Sequence, residues 1–475
     1  MISVAVGEET PPTPEAAPHI AVVGAGLAGL AAAIAVVDAG MQVTLYERAP
    51  RLGGATWSFQ RNGRWFDNGQ HVFMRCCSEY KTFLERLGVS HQVVQQPRLK
   101  VPVMRPGRPT AHIARISAPA PLHMAGSLLC YRPLSVGERM RAIRTALALR
   151  RLNLEDHSLD QQSFGSWLSA RGESEGAIAG LWDLICLPTV NLRAHEASLA
   201  LAAKVFRTGL LDAPDGADLG WTKVPLAVLH GEAAAAHITG CGGNVQMSAQ
   251  VAAIGEGPCL TVGGEEVAVD AVILAVSHEV VDELLPSNTL PQQKALTNLG
   301  ISPIFNVHFV FDRTVMDVPF TAVLDSPVQF VFDRSEAAAW KRPYNSEQVV
   351  AVSQSAAFGE IGDSPSELIE RYYLGLVDLF PKVAEAEVLD AVVTREHGAT
   401  FAGRPNTARL RPESATAMNG LFLAGAWTAT GWPATMEGAV RSGNVAAQLA
   451  VQYCRRGEAH QSPKVESLRR ERARA

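Results

Sequence analysis

Three glycines and a carboxylate near the start of the chain have the types and spacing to grip a dinucleotide. Ile20-Ala-Val-Val23 runs into Gly24-Ala-Gly26-Leu-Ala-Gly29, and Glu47 lies 18 residues beyond Gly29. In such a turn Gly24 allows the tight bend, Gly26 lets a pyrophosphate approach the backbone, and Gly29 permits close helix-to-strand packing. The helix that follows offers unpaired N–H groups to the phosphates, and Glu47 sits where it can accept from ribose hydroxyls. Arg48-Ala-Pro-Arg51-Leu-Gly53-Gly54 comes next, with a Gly-Gly pair that lets backbone pass close to a ligand.

Two further groups could do chemistry. Asp67-Asn-Gly-Gln-His71 is a dense polar cluster in which Asp67 and His71 are candidates for acid chemistry. A turn whose Asp and Asn bond their own backbone reads equally well there. Near the other end, Leu421-Phe-Leu-Ala-Gly425 leads to Thr430-Gly-Trp-Pro-Ala-Thr435-Met436 and a helix. A helix from Ala434 onward, carrying Thr435 and Met436 at its start, would present oriented N–H groups to an anionic ligand. Two ends that share one site imply a domain assembled from distant pieces.

The elements that must position these groups follow from periodicity. Ile20–Val23 reads as a buried parallel strand, 27–38 as a helix ended by Gly40, and 42–46 as a second strand. Pieces between 97 and 121 read as strands. Residues 133–153 read as a helix with Val136, Met140, Ile143 and Leu147 on one apolar face, studded with Arg139, Arg141, Arg144, Arg150 and Arg151. A packed apolar face under a solvated cationic one, or docking on a membrane surface, both suit that pattern. Residues 260–275 read as a meander feeding a buried strand, 304–355 as strands of a half-exposed sheet, and 364–379 as a helix.

Composition sets bounds. At 475 residues, 47% hydrophobic and 19% charged, the chain is globular, and its net charge of −5 gives no hint of a nucleic-acid partner. Seven scattered cysteines without a Cys-x-x-Cys pair suit reduced thiols in the cytoplasm, with no metal site. No apolar run reaches bilayer length, so any membrane contact is peripheral.

Together these segments resemble the amine-oxidase and phytoene-desaturase superfamily of FAD proteins, and within it the squalene-associated hydroxysqualene dehydroxylase family. The resemblance is carried by Asp67-Asn-Gly-Gln-His-Val72, Tyr131-Arg-Pro-Leu-Ser135, Leu181-Trp-Asp-Leu with Asn191-Leu, Val331-Phe-Asp-Arg334, Arg395-Glu-His-Gly-Ala-Thr-Phe401 and Pro433-Ala-Thr-Met-Glu-Gly-Ala-Val-Arg-Ser-Gly443. It implies an α/β fold: a Rossmann-type FAD-binding domain assembled from discontinuous segments, with an inserted α+β substrate domain holding a long apolar cavity. The expected segments are 19–98, 220–290 and 395–455 for FAD and 99–219 with 291–394 for substrate, between a disordered leader (1–18) and a basic tail (456–475).

The resemblance further implies that FAD is held by Gly24, Gly26, Gly29, Glu47, Arg48, Gly54, Gly425, Thr435 and Met436, with the Val251 backbone on adenine. It implies reductive removal of the hydroxyl of hydroxysqualene to give squalene for hopanoids, with Asp67 or His71 as proton source. A lipophilic isoprenoid substrate, contact with the inner face of the membrane and with upstream squalene-pathway synthases, and a cytoplasmic location follow. A carotenoid-type desaturase, or a degenerate non-catalytic flavin- or lipid-binding protein, remain as alternatives. Two departures bear on the last: Ala55 stands where the family has Arg, and Ala426 where it has Asp.

Overall fold

The computed structural model describes residues 17–341 and 346–457. The expected basic tail, apart from its first two residues, and nearly all of the expected leader lie outside the described residues.

Five parallel strands form the nucleotide-type sheet, in the order Asn244–Gln246, Gln42–Tyr46, His19–Val23, Ala271–Leu274, Leu421–Leu423. The strand His19–Val23 is apolar from Ile20 onward because both faces are covered. Ile20 and Val22 face a core shared with the helix Leu27–Asp38, while Ala21 and Val23 face a second core. Gly40 follows the helix with φ +78°, the left-handed turn its C-terminus requires.

Helix Leu27–Asp38 is crossed by the C-terminal helix Met436–Arg455, and small residues set their separation. A Cβ on Gly443 would lie 2.1 Å from the Ala28 carbonyl oxygen. Ala446, Ala447 and Ala450 continue the buried face. The last helix thus locks the end of the chain onto its beginning.

The second sheet has seven strands, in the order Val388–Phe401, Ile301–Phe311, Gln348–Ser355, Phe330–Asp333, Phe320–Val323, Lys100–Arg105, Arg108–Ala114. All neighbours are antiparallel except Phe320–Val323 with Lys100–Arg105. Helix Pro365–Leu379, opened by a Ser364–Glu367 capping box, packs Leu368, Tyr372 and Leu376 onto Phe305, Val307 and Phe309. The strand Val388–Phe401 runs through the boundary expected at 394/395.

The half-exposed sheet expected over 304–355 is corrected. Asn306, His308, Gln348 and Gln354 are buried with their apolar neighbours. The alternation is real, but its polar side meets the hairpin Ser58–Arg61/Arg64–Asp67 rather than water: His308 packs edge-on against Phe66, and Asn306 bonds the Asn68 carbonyl. The helix expected over 133–153 forms as Val136–Arg150. Its inward residues are Ala142, Thr145 and Leu149, and Val136, Met140 and Leu147 face outward.

Gly443→Ala should force the two crossing helices apart and cost about 1–3 kcal/mol, as overpacking of a tight core does. Urea unfolding checks it, and an unshifted midpoint would refute the close contact.

Candidate active site

The glycine turn has the three-part geometry a dinucleotide grip needs. Gly24 adopts φ +99°, and a Cβ there would sit 2.7 Å from the Ala275 carbonyl oxygen. A Cβ on Gly29 would sit 1.8 Å from the Gly24 oxygen, so close packing excludes any side chain. At Gly26 the only neighbour such an atom would meet is the Gly54 Cα, 3.9 Å away, which leaves the approach open. Gly26 is also the N-cap of helix Leu27–Asp38, with no side-chain cap and no acidic residue in the first turn. An uncapped, uncharged helix start facing open space fits a pyrophosphate.

Glu47 is buried, and its carboxylate accepts from Ala25 N–H and Ala49 N–H, each at 2.8 Å. The segment before Val251 is stitched to it by Ala249 N–H to Glu47 O (2.9 Å) and Ser248 N–H to Ala49 O (3.1 Å). Glu47 and Val251 therefore share one end of the sheet. Gly53 N–H donates to Ala25 O at 2.8 Å, bringing Gly54 over Gly26. Arg48 is exposed. Arg51, in the same loop, lays its guanidinium 4.1 Å from the Trp57 ring centroid, close to Ala55.

At the C-terminal side, Gly425 (φ +145°) donates to Ser442 Oγ at 2.8 Å. Thr435 caps the last helix through Gly438 N–H, and Met436 is its first residue. The loop after Ala426 is gathered by buried Arg411, which donates to the carbonyls of Ala426 and Thr428 and to Thr430 Oγ1 at 2.9–3.0 Å. Burial lowers the Arg411 pKa to about 10. The backbone that lacks the family's acid is therefore held from behind by an arginine.

The two candidate acids lie in different settings. Asp67 is buried, accepts from Ser58 Oγ (2.6 Å) and Leu226 N–H (3.0 Å), and pairs with Arg334 at 2.7 Å. Both its oxygens are taken by donors, and Arg334 also reaches Thr222 O, so the pair braces three segments. His71 Nδ1 lies 3.2 Å from Gly69 O. A carbonyl only accepts, so Nδ1 carries the hydrogen, and burial pushes the imidazole pKa below its usual value. The neutral ring therefore keeps its lone pair on Nε2. His71 lines a pocket with Val72, Trp221, Phe320 and Phe332, and Asp67 lines another with His308. Both are lined by polar and apolar side chains together.

Asn68, next to Asp67, leads to a further carboxyl group, Glu396, that no motif reading singled out. Glu396 Oε1 accepts from Trp57 Nε1 (3.0 Å) and Asn68 Nδ2 (2.8 Å). Asn68 Nδ2 also donates to Ala55 O at 2.8 Å, which ties Glu396 to the Gly-Gly turn. Glu396 and Asn306 come from the seven-stranded sheet, 328 and 238 residues from Asn68. Arg395-Glu396-His397 was visible only as part of a resemblance, because nothing local reveals a carboxylate turned toward a distant loop.

Apart from this site, Asp38, His237 and Cys241 bring ligand atoms within 4.8 Å of one another at the surface. Asp38 there is already engaged by Arg86 and His237.

A family model described as flavin containing amine oxidoreductase matches residues 27–451. The chain belongs to that family. Its members' cofactor is FAD, and the grip described above fits it, so this is an FAD-dependent oxidoreductase. Among curated relatives, hydroxysqualene dehydroxylase of Zymomonas mobilis is 26% identical over 446 residues, covering 91% of this chain and 99% of the relative. The chloroplastic/chromoplastic 15-cis-phytoene desaturase of Narcissus pseudonarcissus is 25% identical, covering 93% and 80%. Cyclohexylamine oxidase from Brevibacterium oxydans shares the fold, with TM-score 0.69 at 17% identity over 92% of this chain and 100% of that one. Among the described residues of this flavoprotein no helix is long and apolar enough to cross a membrane.

Buried histidines flank the site and make its stability pH-dependent. Burial lowers His230, held between Tyr80 and Thr56 hydroxyls, to about 3 and His308, near Asp67 and Arg334, to about 4. The unfolded chain binds these protons first as pH falls below 6.5, so each histidine costs about 1.4 kcal/mol of stability per pH unit down to its folded pKa. Thermal melts should drop steadily from pH 6.5 to 4, less steeply for His308→Phe. A flat profile would show that these rings already carry charge in the folded state.

Proposed function

We propose that this flavoenzyme reduces hydroxysqualene to squalene, replacing the hydroxyl by hydrogen and releasing water. The reading is supported by three relatives named hydroxysqualene dehydroxylase at 26% identity, matched over nearly their whole length. The observation in the chain that carries the chemistry is the open oxygen of Glu396 beside the Gly53–Gly54–Ala55 turn. Reduced FAD, when bound, supplies the hydride.

The residues of the chain do the rest. Gly24, Gly26 and Gly29 would admit the pyrophosphate, and Glu47 and the Val251 backbone would meet the adenosine end. Gly54, Gly425, Thr435 and Met436 would border the flavin, and Arg48 or Arg51 would answer the loss at Ala55. Loss of water needs a proton on the leaving oxygen. Asp67 has both oxygens committed to donors and His71 is held neutral, so Asp67 is a brace and His71 a wall of the site. Glu396 keeps Oε2 for the hydroxyl and passes the proton to it. Trp57 and Asn68 fix the carboxyl through Oε1. The isoprenoid, once ionised, needs dry walls against recapture of water. Trp221, Phe320 and Phe332 beside His71 are such walls.

Anaerobic mixing of the chemically reduced protein with hydroxysqualene tests the reading. Flavin reoxidation matched by squalene is expected, slowed by about 10²–10⁴ in Glu396→Gln as for loss of a general acid. Reduced flavin that persists, together with reduction of the oxidised protein by phytoene, would make it a desaturase instead. Protein that binds no flavin would be the non-catalytic binder.

A further inference from the structure

The helix Val136–Arg150 carries its apolar residues on the outside. Val136 is 70% exposed, Met140 43% and Leu147 40%. With half-buried Ile143 they form one stripe at i, i+4, i+7 and i+11, roughly 16 Å long. The segment before the helix adds Ile116 (51%), Leu122 (61%) and Leu129 (50%). Hydrogen bonds join these pieces into one surface. Arg139 donates to Leu129 O at 2.9 Å and to Leu134 O at 2.8 Å, and Ile116 N–H donates to His123 O at 3.0 Å. A soluble protein rarely leaves so many large apolar side chains together without a partner.

Charge says which partner. Residues 98–151 hold eleven Lys and Arg and a single acid, Glu138, a local balance of +10 in a chain of −5. The remainder is correspondingly acidic, at −15. Arg105, Arg115 and Arg150 are paired by acids from elsewhere. Arg132, Arg144 and Arg151 stand exposed around the stripe. Apolar side chains ringed by arginines match the interface of an anionic bilayer, with tails below and phosphates at the rim.

We propose that this face, from Ile116 to Arg151, docks the protein on an anionic lipid bilayer. The surface lies beyond the strand Arg108–Ala114, an edge of the seven-stranded sheet, and Ala114 N–H is fastened to it through Ser127 Oγ at 3.0 Å.

Co-sedimentation of the flavin-loaded protein with phosphatidylcholine vesicles, with and without phosphatidylglycerol, tests this without reference to any substrate. Binding is expected only with phosphatidylglycerol, weakening as salt rises, and falling about tenfold in Met140→Glu and in Arg144→Glu. Leu374→Glu, an exposed leucine on another element, should bind as the parent does. Retained flavin in each variant shows that the fold survives. Failure to bind either vesicle, equal binding to both, or binding unchanged by both substitutions would overturn the proposal. A dimer that forms without lipid and is broken by Met140→Glu would overturn it too, assigning the face to a second copy.

Discussion

Asn68 is buried and makes hydrogen bonds through each of its polar groups. Its side chain accepts from Trp57 N–H and donates to Ala55 O and Glu396 Oε1; its backbone N–H donates to Trp57 O, and its carbonyl accepts from Asn306 and Thr394. One residue therefore joins the Gly-Gly turn to two strands of the seven-stranded sheet, to Val388–Phe401 through its side chain and to Ile301–Phe311 through its backbone carbonyl. A buried amide with one partner missing would cost about 1–3 kcal/mol, and that asymmetry makes the network specify a single arrangement. Asp67, its neighbour in sequence, pairs with Arg334 and holds the same loop against Leu226 and Thr222.

Around this junction the two halves of the molecule use different physics. The nucleotide sheet is placed by packing at contact distance, where glycines at 24, 29 and 443 leave no room for a side chain. The seven-stranded sheet is placed by apolar burial on the helix side and by polar matching on the hairpin side. Ala55 and Ala426, where the resemblance leads one to expect Arg and Asp, are both supported through their backbone carbonyls, by Asn68 and by Arg411.

The cofactor half was legible because its signals are local. The Gly24-to-Gly29 spacing, Glu47 and Gly40 each follow from what a short stretch of backbone must do. Glu396, Asn306 and Arg334 were not legible as a site, because they reach Asn68 or Asp67 from hundreds of residues away. Period-two alternation in 301–311 reads as one wet face and one dry face, yet a polar site lining gives the same pattern. Helical spacing at Val136, Met140 and Leu147 marked the stripe correctly, but spacing does not say which way a stripe faces.

Asn68 holds Glu396 in register with the cofactor turn. Single-turnover reoxidation by hydroxysqualene in Asn68→Leu, beside a titration of its FAD affinity, tests it most directly. A rate lower by about 10² or more is expected, a loss typical of a displaced catalytic group, with FAD affinity changed far less. A parent-like rate in a flavin-replete Asn68→Leu protein would contradict it.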